Sequence, residues 1–200
     1  MDQLSSPLRL LTFCGSLRKQ SFNRMALEAL QLRANTLFQN EIEIHIFDEL
    51  GNLPFFNPDL ELAFEAGDLS SLQTEEKSLA ALSHLMHAMA QADGLIIASP
   101  EYAHGVTGLI KNTLDWLVSG ESFVNMPLML INTSTRAHHA QDALTEIVTT
   151  MSGRVIQEAS LCLPLLGSQI RSTADLITSD LVGQLDNKLG LYIKALNQSA

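Results

Sequence analysis

The chain has 200 residues, 46% of them apolar and 17% charged, with 22 acidic against 12 basic residues and a formal net charge of −10. That length and apolar content predict one compact globular domain over residues 1–200, large enough to bury most of its core without disulfides or metal. The acidic balance and the lack of a Lys/Arg cluster argue against a nucleic-acid partner. They also mean that an anionic ligand must be held by local dipoles and a few placed cations. Two cysteines, Cys14 and Cys162, show no metal-binding spacing. Residues 1–7 carry neither the basic start nor the apolar stretch of a secretory signal, and no apolar run is long enough to span a bilayer. The expectation is a cytoplasmic protein without a membrane partner.

In chain order, Leu8–Cys14 is an apolar run closed by Gly15, which predicts a strand buried on both faces. Residues 22–39 place Met25, Leu30, Leu37 and Phe38 near helical spacing. Residues 41–47 alternate, with Ile42, Ile44 and Ile46 on one side, as a half-buried edge strand does. Residues 49–71, broken by Gly51, Pro54, Pro58 and Gly67, read as a long loop with at most one short helix. A helix over 75–92 carries Leu79, Leu82, Met86 and Met89 on one face, and residues 94–99 form the next buried strand.

A helix over 108–119 follows, with Ile110, Leu114, Leu117 and Val118 inward; Trp116 falls off that face and reads as a subunit-interface anchor. Pro127–Asn132 is a fourth strand, 137–151 a helix, 154–157 a fifth strand and 177–196 the closing helix. Such β-α alternation predicts an α/β three-layer sandwich around a parallel sheet. Ligands of such sheets bind beyond the carboxyl ends of the strands, where the strand order reverses. The loops after the first, third and fourth strands therefore carry the function.

The first loop, 15–23, reads Gly-Ser-Leu-Arg-Lys-Gln-Ser-Phe-Asn between a strand and a helix. Helix N-termini present free N–H groups that suit a phosphate. Ser16 and Ser21 add hydroxyl donors, Arg18 adds charge, and Asn23 can cap or donate; Ser21 alone would also serve as a plain helix cap. The loop matches neither the dinucleotide G-x-G-x-x-G nor the Walker P-loop. The second loop opens Ser99-Pro100-Glu101-Tyr102-Ala103-His104-Gly105 and places a carboxylate and a phenol at the switch point. His84 and His87 sit three apart on a helix, but no third ligand is evident, so no metal site is expected.

Taken together, Gly15-Ser16-x-Arg18-x-x-Ser21-x-Asn23, Pro100-Glu101-Tyr102 and Gly108-x-x-Lys111-Asn112-x-x-Asp115-Trp116 resemble the NADPH-dependent FMN reductase family, which includes quinone, chromate and azo-dye reductases. The stretch Leu53-Pro54-x-x-Asn57-x-Asp59 adds to the resemblance. It implies a flavodoxin-like fold with sheet order 2-1-3-4-5, bound FMN, and NADPH or NADH as electron donor to a small-molecule acceptor such as a quinone, flavin, azo compound or chromate. Homodimers or homotetramers are common in the family. Ser16, Arg18, Ser21 and Asn23 would hold the FMN phosphate; Pro100, Glu101 and Tyr102 would line the ribityl chain and ring.

Two departures stand out. The family usually reads Pro-Glu-Tyr-Asn, whereas this chain has Ala103 in the last place. The loop after the fourth strand, usually glycine-rich, has no glycine between 133 and 139; here Ser134, Thr135 and Arg136 are candidates to face the flavin N1/O2 edge. No acid–base residue is expected, since the cofactor supplies the chemistry. The alternatives are a flavodoxin-like electron carrier and a flavin-free structural or regulatory dimer.

Overall fold

A computed structural model describes residues 6–68 and 74–198. The expected loop over 49–71 therefore ends outside the described residues, as does most of the 1–7 segment read for a signal. The strands are β1 (Leu8–Cys14), β2 (Ile42–Ile46), β3 (Gly94–Ala98), β4 (Pro127–Asn132), β5 (Arg154–Val155) and β6 (Leu161–Cys162). The helices are α1 (Phe22–Leu37), α2 (Pro58–Ala66), α3 (Glu76–Ala90), α4 (Gly108–Leu117), α5 (His138–Thr150), α6 (Thr173–Thr178) and α7 (Val182–Asn197). All strand pairs are parallel, in the order β2-β1-β3-β4-β5, with β6 also on β4. This is the flavodoxin-like sheet that the sequence pattern predicts.

Alternate residues of each central strand feed opposite cores. Leu10, Ile96 and Met129 pack with α1, α6 and α7, whereas Leu11, Phe13, Leu95, Ile97 and Leu130 pack with α3, α4 and α5. Double-sided burial explains why these strands read as continuous apolar runs. Tyr192 pins α7 to the sheet: its hydroxyl lies 3.1 Å from Leu95 O and 2.8 Å from Pro127 O, and burial pushes the phenol far above its ordinary pKa.

Three expectations are corrected. The fifth strand is split. Ile156 still donates to Leu128 O at 2.8 Å, but residues 157–160 turn away from the sheet, and the Leu130 N–H that a continuous strand would accept donates to Ser160 Oγ at 3.3 Å. The closing helix is also divided, into α6 and α7. Ser179 Oγ donates to Leu176 O and accepts the Leu181 N–H, and such local bonds compete with helix propagation. Trp116 is no surface anchor, being 1% exposed. Its ring meets Phe56 edge-on at 5.2 Å, and its Nε1–H donates to Pro54 O at 2.8 Å. Asn112 donates to the same carbonyl and accepts the Phe56 N–H. The Asn112/Trp116 pair thus clamps the 53–57 loop onto α4. That loop leads into α2, whose Asn57 cap, Pro58 and left-handed Gly67 are standard helix punctuation.

Candidate functional site

The three loops converge at the carboxyl end of the sheet. Gly15 makes this possible: its N–H donates to Ala98 O at 2.8 Å, and a Cβ there would lie 2.5 Å from Ser99 Oγ. Only glycine lets the first loop leave β1 while touching the second. Between the loops lies a cleft of about 320 Å³, at the small end of the range for ligand pockets.

The first wall is the start of α1. Ser16, Arg18, Gln20, Ser21, Phe22 and Asn23 line it. Ser21 is the N-cap, its Oγ accepting the Arg24 N–H at 3.2 Å. The N–H groups of Phe22 and Asn23 have no acceptor among the described residues, as expected for the first turn of a helix. Asn23 is buried, and its Oδ1 accepts from Thr133 Oγ1 at 3.1 Å, which ties α1 to the loop after β4. Beneath the wall, Cys14 donates to Ser16 O; burial pushes its thiol up, so it acts as an inert packing group.

The second wall holds Pro100, Glu101 and Tyr102. Tyr102 and Gly105 exchange backbone hydrogen bonds around a two-residue turn, with Ala103 and His104 at φ 51° and 58°. Paired positive φ values are the mark of a type I′ turn, which favours Asn and Gly. The backbone therefore supplies a reason for the family's asparagine: it relieves left-handed strain at position 103. The Ala103 side chain does not line the cleft.

The third wall is built on Asn132, whose Nδ2 donates to Ala137 O and whose Oδ1 accepts the Ser134 N–H, both at 2.9 Å. One asparagine side chain thus folds the glycine-free loop. Ser134 and Arg136 line the cleft, while Thr135 is exposed outside it. Ala137 offers no side-chain cap to α5; Glu101 does so from the second loop, its Oε2 accepting the Ala140 N–H at 2.9 Å. Outside the cleft, His104 and His138 flank the His139 ring at centroid distances of 4.4 and 4.1 Å.

Gln20, Phe22, Asn132, Thr133, Ala137 and Leu166 complete the lining and escaped the sequence reading. For Asn132 and Thr133 the signal was present, since they end a strand at the switch point. Leu166 comes from beyond β6 and carries none.

The sequence model of the NADPH-dependent FMN reductase family matches residues 8–164. The chain belongs to this family. Quinone reductase of Escherichia coli K12 is 28% identical over 195 residues, covering 94% of this chain and 93% of that protein. The NADH:(hydroxy)cinnamate reductase subunit CrdA of Vibrio ruber is 25% identical over 182 residues, covering 88% and 81%. Among solved structures, the Paracoccus denitrificans flavoenzyme FerB superposes with a TM-score of 0.71 at 21% identity, covering 96% of this chain and 98% of its own.

The family is FMN-dependent, and the cleft suits that cofactor. Ser21, Asn23, Asn132 and Thr133 are buried polar residues that line it. Arg18 and Arg136 face it without a carboxylate partner among the described residues. In a chain of net charge −10, these two arginines stand beside the free N–H groups of a helix start, a setting that favours an anion. Among the described residues no helix is long and apolar enough to cross a membrane.

Proposed function

We propose that the protein is an FMN-dependent NAD(P)H oxidoreductase that reduces quinones or similar small acceptors. The observation that carries this reading is the three-walled cleft with its phosphate-suited end at Ser21–Asn23. Bound FMN would supply hydride transfer between the nicotinamide donor and the acceptor.

The chain's own residues bind and orient. Ser16, Arg18, Ser21 and Asn23 hold the phosphate, with the Phe22 and Asn23 N–H groups aimed at it. Pro100, Glu101 and Tyr102 shape the middle of the cleft, and Glu101 keeps α5 in place through Ala140. Ser134 and Arg136 offer donors where negative charge develops on the ring, the kind of electrostatic support that needs no proton transfer.

The free thiols of Cys14 and Cys162 agree with a reducing cytoplasm. A homodimer or homotetramer is supported by Phe55, 88% exposed, and by Leu62 and Val118, also exposed, on elements joined by the Ser119–Glu61 hydrogen bond.

The test is a visible spectrum of the purified protein, FMN titration, and NADPH oxidation with a free quinone. A yellow protein that turns over without a second protein is expected. Failure to bind FMN sinks the reading, and FMN binding without turnover would indicate an electron carrier instead.

A further inference from the structure

We propose that Arg18 and Arg171 form a second anion pocket, adjoining the cleft, that takes a phosphate monoester. Resting on the FMN and NAD(P)H reading above, which places the flavin's single phosphate at Ser21–Asn23, the source of that group is the 2′-phosphate of NADPH.

The recess has a volume of about 160 Å³ and is lined by Arg18, Gln20, Phe22, Met25 and Arg171. It is too small for a nucleotide and large enough for one charged group. Arg18, Gln20 and Phe22 also line the cleft, so the two spaces share a wall. Phe22 and Met25 give the recess apolar sides, which lowers the local dielectric and strengthens a charge-assisted hydrogen bond.

Arg171 is aimed by its own loop. Its Nη1 donates to Ser168 O and to Ile170 O, after Gly167 turns the chain at φ 86°. Its remaining guanidinium N–H groups have no acceptor among the described residues. The nearby carboxylate, Asp175, accepts the backbone N–H groups of Arg171 and Ser172, and no ion pair with either guanidinium forms. Arg136 lines the adjoining cleft, so three arginines lacking carboxylate partners among the described residues line two spaces that share a wall. Arg171 lies beyond residues 8–164, the span that matches the family.

The experiment is calorimetry on the full chain, freed of flavin, in wild-type, Arg171→Gln and Arg171→Lys forms. Two ligand pairs differ only by the phosphate: FMN against riboflavin, and adenosine 2′-monophosphate against adenosine. Arg171→Gln is expected to weaken adenosine 2′-monophosphate about tenfold, leaving adenosine and FMN unchanged, with Arg171→Lys in between. Selective loss for the adenosine monophosphate assigns the recess to the donor, whereas selective loss for FMN would place Arg171 at the flavin-phosphate site and overturn a second pocket. Equal losses within both pairs would mean that Arg171 only supports its loop, and no loss in either pair removes the site; both overturn the proposal. If neither flavin binds the wild-type chain, the FMN reading fails, while the adenosine pair still decides the pocket.

Discussion

The two ends of the cleft are built differently. The end proposed for the phosphate is the first turn of a 16-residue helix, its Ser21 and Asn23 buried and its free N–H groups fixed by helix geometry. The ring end is two irregular loops held by side chains: Asn132 folds one, Glu101 joins them, and Ala103 and His104 sit in left-handed backbone. The first end derives rigidity from secondary structure, whereas the second derives it from individual side chains. Affinity for a cofactor is therefore expected to reside mainly at the first, and the choice of acceptor at the second.

Asn23→Ala should have the largest effect. It strands the buried Thr133 hydroxyl and removes the amide proposed to bind the phosphate. A loss of about 1–3 kcal/mol in unfolding free energy is expected, with FMN affinity down at least about tenfold. Denaturant unfolding and fluorescence titration read both. Unchanged FMN affinity would break the assignment of this end to the phosphate.

Glu101→Ala comes next. Losing the borrowed cap of α5 should cost about 1 kcal/mol, and Glu101→Gln, which keeps an acceptor, should recover most of it. Equal loss in both variants would show that the carboxylate charge, not the hydrogen bond, holds the ring end. Ala103→Gly should act in the opposite direction, raising stability by about 0.5–1 kcal/mol through relief of left-handed strain. Ala103→Asn should raise both stability and FMN affinity; stability alone would show that the family asparagine serves the turn and not the ring.

The smallest effect concerns the loop behind the phosphate end. The Arg171 N–H, and after it Ser172, holds the Asp175 carboxyl below the usual carboxylate range. A depressed carboxyl contributes stability above its unfolded pKa and loses it as pH falls through the folded one. Asp175→Asn should therefore melt lower than wild type near neutral pH, and the two melting curves should converge in strong acid. A difference that persists there would assign the effect to packing.

The fold was legible because β1, β3 and β4 bury both faces and α1, α3 and α4 carry long apolar periodicities. The junction between β1 and α1 was legible for the same reason, since Gly15 closes a buried strand and Ser21 caps the helix that follows. Trp116 misled because its burial depends on the 53–57 loop, which is distant in sequence. The break at Ser160 and the division at Ser179 each rest on the bonds of one hydroxyl, which no periodicity reports. The ring end was least legible. Its shape is set by Asn132 and Glu101 reaching across loops, and a loop without glycine gives no hint of how it turns.

The split of the last strand matters beyond the fold. An unbroken fifth strand would leave a long outer row of N–H and C=O groups on which another chain could pair. Here β5 and β6 are two residues each, separated by residues 156–160. That border is too short and too interrupted to template intermolecular strand addition. The interruption thus blunts this edge of the sheet against strand addition, independently of anything bound in the cleft.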